Sequence, residues 1–122
     1  MVIKKIDCNF SVCQLKDISA VDMNNSEFFF LGKTDEELSL VCSTASVPTS
    51  VIKREDGWKA FRIEGTLDFS LIGILSKIAS LLADNNISIF AISTFNTDYV
   101  LTRTDNYARA LDLLERAGYQ II

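Results

Sequence analysis

The 122-residue chain carries 12 Lys and Arg against 16 Asp and Glu, a net charge of −4, with 48% apolar residues and no histidine. That size and composition allow one ordinary domain, or two very small ones sharing a core, and argue against disorder. The scattered cations give no concentrated positive face for nucleic acid, no apolar run nears the roughly 20 residues that span a bilayer, and the missing histidine removes the usual general base and most metal sites. Lys4 and Lys5 near the start are not followed by the apolar core of a signal peptide, so a cytoplasmic location is expected. Cys8, Cys13 and Cys42 then read as reduced thiols, small buried hydrophobes rather than zinc ligands.

Ile3 to Leu15 alternates, with Ile6, Cys8, Phe10 and Val12 opposite Asp7, Asn9 and Ser11, and predicts a strand. Lys16 to Asn25 follows as a short helical or irregular piece, with Ile18, Val21 and Met23 able to cover one side of a sheet. Phe28-Phe29-Phe30-Leu31 predicts a buried strand, Lys33 to Glu36 a turn, and Glu37 to Ser43 a strand with Leu38, Leu40 and Cys42 on one face. Thr44 to Gly57 holds the only proline, Pro48; it reads as one helical turn near Val47 to Ile52 and then a charged turn, Lys53 to Gly57. Trp58 to Glu64 predicts a strand with Phe61 and Ile63 facing away from Trp58, Ala60 and Arg62.

The stretch Gly65 to Tyr99 organises the rest. Short polar residues, Asp68 and Ser70 among them, precede an apolar run of helical period: Leu71, Leu75, Ile78 and Leu82, widened by Ile74 and Leu81. Asp84-Asn85-Asn86 stops that helix, and Ile87 to Ser93 is short and β-branched enough for a strand. Thr94 to Asp98 predicts a polar turn and Tyr99 to Arg103 another strand. Thr104-Asp105 is a candidate cap for a helix over Asn106 to Ala117, with a stripe of Ala108, Leu111, Leu114 and Ala117, Gly118 ending it and Tyr119 to Ile122 a last strand. The second half thus counts β-α-β-β-α-β, the split-βαβ order. Thr34 to Leu40 also parallels Thr94 to Leu101 with one residue extra, a faint internal repeat.

This succession of strand, aspartate-bearing loop, Gly73 in the first helical turn, helix and Asn86-Ile87-Ser88-Ile89 resembles the ACT domain, a ligand-binding regulatory module. The phrases from Leu67 to Leu75 and from Ile87 to Leu101 are similar to those of small bacterial proteins with two ACT-like units, and to the ACT units of the cytosolic arginine sensors of animals. The resemblance implies an α+β, ferredoxin-like architecture. A complete βαββαβ ACT unit over 58–122 would pack with a degenerate ACT-like unit over 1–57, antiparallel sheets carrying helices on one face.

The candidate site combines the loop before the helix with the turn after the next strand. A helix N-terminus presents free N–H groups and a partial positive charge to a carboxylate, and Asp68 suits an ammonium. By the resemblance the ligand-binding residues are Asp68, Phe69, Ser70, Leu71, Ile72 and Gly73, with Ser93 and Thr94 as the adjoining wall and Asn96 and Thr97 as its extension. Each has a plainer role: Asp68 or Ser70 as helix caps, Gly73 for close packing, Ser93 to Asp98 as a solvated turn. The common ACT loop has a proline before its glycine, whereas here Ser70-Leu71-Ile72 precedes Gly73.

The expected function is a sensor that binds an amino acid effector, without catalysis, cofactor or metal, and without nucleic acid or membrane as partner. A homodimer or higher homo-oligomer and a regulated protein partner go with it. The alternative is a protein-interaction module with a vestigial site. An enzyme is the third reading, with Asp68, Ser70 and Asp98 the local groups for it and no base of suitable pKa beside them.

Overall fold

In the computed structural model, which describes residues 1–64 and 73–122, the chain runs β1 (Val2–Leu15), β2 (Phe29–Lys33), β3 (Leu38–Ser43), β4 (Val51–Ile63), α1 (Ile74–Asp84), β5 (Ile89–Ser93), β6 (Asp98–Arg103), α2 (Thr104–Arg116) and β7 (Gln120–Ile121). It divides into two units, one of Met1–Asp7 with Lys59–Ile122, the other of Cys8–Trp58. The long strands β1 and β4 lend one end to each.

In the unit built on Lys59–Ile122, the order β4-α1-β5-β6-α2-β7 is the α+β, ferredoxin-like succession. Its sheet contains a strand that the count of elements does not reveal. The start of β1 lies beside β4, with the Glu64 N–H donating to Val2 O at 2.9 Å, and β7 pairs in parallel with β1 through Val2 and Gln120. The strands therefore follow β7-β1-β4-β6-β5. Ile3, Phe61, Ile63 and Val100 from the sheet meet Ile78 and Leu82 of α1 and Ala110 and Leu114 of α2 in one buried core. Tyr107 fastens α2 to the sheet: its hydroxyl donates to Ala60 O at 2.6 Å.

In the unit Cys8–Trp58 the order is β2-β3-β1-β4, with β3 antiparallel to both β1 and β2. Cys13, Leu15, Leu40 and Cys42 form its core, covered by Val21, Phe29, Val47 and Val51. None of the three cysteines is in a disulfide. Among the described residues this unit has only 3₁₀ turns, Met23–Asn25 and Thr44–Ser46, where the other has helices.

Several local expectations are corrected. The turn near Val47 to Ile52 is instead the 3₁₀ turn Thr44–Ser46, and Lys53 to Gly57 lies within β4 rather than in a loop. Arg54 and Asp56, two apart on one face of that strand, pair at 3.0 Å, and the charges belong to an exposed strand surface. In the Phe28 to Leu31 strand the three phenylalanines are half-buried and Leu31 is exposed, not buried, because β2 is an edge. Along β1 the buried set changes parity at Phe10 and Ser11, leaving Cys8 and Val12 half-buried; Ile3 serves one core, Cys13 and Leu15 the other. Helix α2 begins at Thr104, two residues early, with Arg103 as its cap residue, and Asp105 in its first turn suits the helix dipole. Its buried face is Tyr107, Ala110, Leu111 and Leu114, while Ala108 and Ala117 are exposed.

The repeat is tighter than the sequence implied. Phe29 pairs with Cys42 and Ile89 with Thr102, and every later pair of the two hairpins also matches after a shift of sixty positions. No residue is extra. The turns agree as well, the Thr34 N–H donating to Glu37 O at 2.9 Å and the Thr94 N–H to Thr97 O at 2.8 Å.

Candidate functional site

Asp68, Phe69, Ser70, Leu71 and Ile72 lie outside the described residues. Gly73 occupies the N-cap of α1 at φ +81°, a left-handed conformation that glycine adopts without penalty. As a glycine it offers the helix start no side-chain cap of its own, and the capping roles expected of Asp68 and Ser70 fall outside the described residues. A Cβ on Gly73 would meet no described atom within 4 Å, and the backbone angle by itself calls for glycine there.

The turn from β5 to β6 holds the other predicted residues. Ser93 faces Asp98 in the ladder, and its hydroxyl donates to that carboxylate at 2.5 Å, closing the hairpin. The Thr94 hydroxyl donates to Thr97 O at 3.0 Å, and the buried Thr97 hydroxyl to Ile63 O at 2.7 Å. Through that bond the turn is tied to the end of β4.

Thr94, Asn96 and Thr97 border an open cavity of about 260 Å³ whose other wall is the end of β4, Arg62 to Glu64, with Tyr99 of β6. Ser93 is not in that lining. The Arg62 Nε donates to Glu64 Oε2 at 3.1 Å and its Nη1 to the Tyr99 hydroxyl at 3.2 Å. The same two bonds favour the charged guanidinium and push the arginine's pKa up. Side chains of both signs thus stand next to one another, half-buried, beside the exposed amide of Asn96.

Arg62, Glu64 and Tyr99 were not among the predicted site residues. A signal was present: alternation in β4 turns Arg62 away from Phe61 and Ile63, and a cation two positions before an anion on such a strand face invites a partner. What sequence did not supply was the neighbouring strand, which brings Tyr99 alongside. Among the described residues no group of three or more His, Cys, Asp or Glu side chains is placed to hold a metal ion, and no helix is long and apolar enough to cross a membrane.

A family model described as the ACT domain matches residues 53–116, more than half of the chain. The chain belongs to the ACT domain family. A second model, described as an N-terminal domain, matches residues 9–50. Subunit 1 of the cytosolic arginine sensor for mTORC1 is 40% identical over 60 residues in Homo sapiens and 42% in Mus musculus; each match covers 48% of this chain and 18% of the relative. The chain therefore spans under a fifth of the length of those relatives.

A crystal structure of an Agobacterium tumefaciens protein has TM-score 0.85 at 30% identity, over 98% of this chain and 90% of that one. The ligand-free regulatory subunit of Thermus thermophilus aspartate kinase has TM-score 0.68 at 8% identity, over 97% and 98%, a likeness of fold alone. This ACT chain is thus a regulatory module, related in sequence to an amino acid sensor and in fold to aspartate kinase regulatory subunits.

Proposed function

We propose that this ACT module binds an amino acid effector and has no catalysis of its own. Its ligand site is formed by the segment 68–73 before α1 together with the β5–β6 turn. The observation that carries this reading is the cavity in which Thr94, Asn96 and Thr97 meet the opposite charges of Arg62 and Glu64. A zwitterion needs donors for its carboxylate and an acceptor for its ammonium, and that wall offers both. The start of α1, with Gly73 at its N-cap, adds backbone donors. Residues 58–122 act as the complete ACT unit and 1–57 as a degenerate one, with the output going to a regulated protein in the cytoplasm, through a homodimer or larger homo-oligomer.

A thermal-shift screen of the twenty amino acids, followed by equilibrium dialysis of the best, tests this. Ligand at 100 times its Kd adds about 2.7 kcal/mol, a rise of several degrees in Tm for a chain of this size. Retention of none of the twenty overturns the proposal.

A second reading, an interaction module with a vestigial site, draws on Phe95, 82% exposed at the tip of the β5–β6 turn, and on exposed Leu31 of edge strand β2. It expects a stable homodimer or complex that is indifferent to amino acids; a monomer by sedimentation that captures no partner counts against it.

A further inference from the structure

The polar groups around the cavity differ in how committed they are. The Thr97 hydroxyl is donated to Ile63 O and the Thr94 hydroxyl to Thr97 O, so both have their protons engaged in holding the turn. The Arg62 guanidinium has five N–H donors in a rigid fork. Glu64 takes the one at Nε and Tyr99 one at Nη1; the rest are not taken up by the described residues. Glu64 has one carboxylate oxygen on Arg62, leaving its other oxygen to accept. Tyr99 also lies against the guanidinium, whose carbon is 5.9 Å from the ring centroid. Arg62 is therefore oriented before any ligand arrives, and little side-chain freedom is left to lose on binding.

We infer that the Arg62–Glu64 pair is the head-group reader of this cavity: Arg62 receives the ligand's α-carboxylate on its remaining N–H groups and Glu64 its α-ammonium. The inference rests on the amino acid reading of the site and narrows the ligand to free α-amino acids with both groups unblocked. The side chain then points to the β5–β6 turn, where Asn96 offers an amide, so discrimination among amino acids falls to the turn and not to β4. Tyr99 is a positioning residue that acts through Arg62.

The test begins with whichever of the twenty amino acids gives the largest thermal shift. Its N-acetyl and carboxamide derivatives are then titrated by calorimetry into the wild-type chain, and the free amino acid into R62Q, E64Q and Y99F. Loss of at least about tenfold in affinity is expected for each derivative and for R62Q and E64Q, with a smaller loss for Y99F, since hydrogen bonds to charged groups are the strong ones. Circular dichroism confirms that each variant is folded; should R62Q or E64Q fail to fold, the derivatives on the wild-type chain decide alone. Undiminished binding of the derivatives, or of R62Q and E64Q, overturns the inference and leaves the amino acid reading standing. No shift with any of the twenty overturns both.

Discussion

The β2–β3 and β5–β6 hairpins share one ladder, one turn and the same run of three buried residues in the second strand, yet what surrounds them differs. After β3 the chain makes a 3₁₀ turn and reaches Pro48, which restricts its predecessor to extended backbone and has no N–H for a helical bond. After β6, Thr104 to Arg116 has no proline and builds a full helix. The turns diverge in the same way. Glu36 and Glu37 are exposed, whereas Thr97, at the place of Glu37, is buried and bonded to the end of β4. A common backbone can thus carry an exposed, acidic turn in one copy and an anchored, neutral one in the other. The anchored copy is the one that borders the cavity.

The largest effects are expected where each unit's core is emptied. Phe61→Ala should cost about 3–5 kcal/mol and Leu40→Ala about 2–5 kcal/mol by urea denaturation, since both are fully buried. One shared transition would show that the units unfold together; two would show that the repeat also divides the stability. Next comes the turn. Thr97→Val orphans the Ile63 carbonyl and should cost about 1–3 kcal/mol, while Glu37→Val at the matching position should change stability little. Equal costs would sink the claim that only one turn is anchored. Tyr107→Phe removes the tie between α2 and the strands and should cost about 1 kcal/mol, read from the same denaturation curves.

The smallest effect is on pH dependence, in the other unit. Burial pushes the Cys42 thiol up to about 11 from 9.0, with neighbouring Cys13 adding to the rise. The folded state holds that proton more tightly than the unfolded one. Its contribution is whole below pH 9 and is lost as pH climbs from 9 through 11. Cys42→Ala should therefore lose less stability than the wild type between pH 8 and pH 11.

Much of the fold was legible because its signals are local. The periodic run to Leu82, the stop at Asn85-Asn86 and the β-branched Ile87 to Ser93 each stated their structure. What stayed hidden depended on long-range pairing. The charged run Lys53 to Gly57 looks like a turn until β1 lies beside it, and nothing local announces that β7 will pair with β1. The face of α2 was displaced by counting from Ala108, because the residue that fixes its rotation, Tyr107, does so by a bond to a distant carbonyl. The site divides similarly. Turn residues Thr94, Asn96 and Thr97 follow from the phrase they sit in, whereas Arg62 and Tyr99 become neighbours only across strands.

The bond from Tyr107 has a mechanical meaning. Apolar contact has no direction, so a helix held only by a greasy stripe can slip along its axis or roll at little cost. A phenol bonded to the backbone of β4 cannot follow such a movement without breaking that bond. Helix α2 is thereby pegged to the sheet, a fixed datum against which displacement of the rest of its unit can be measured.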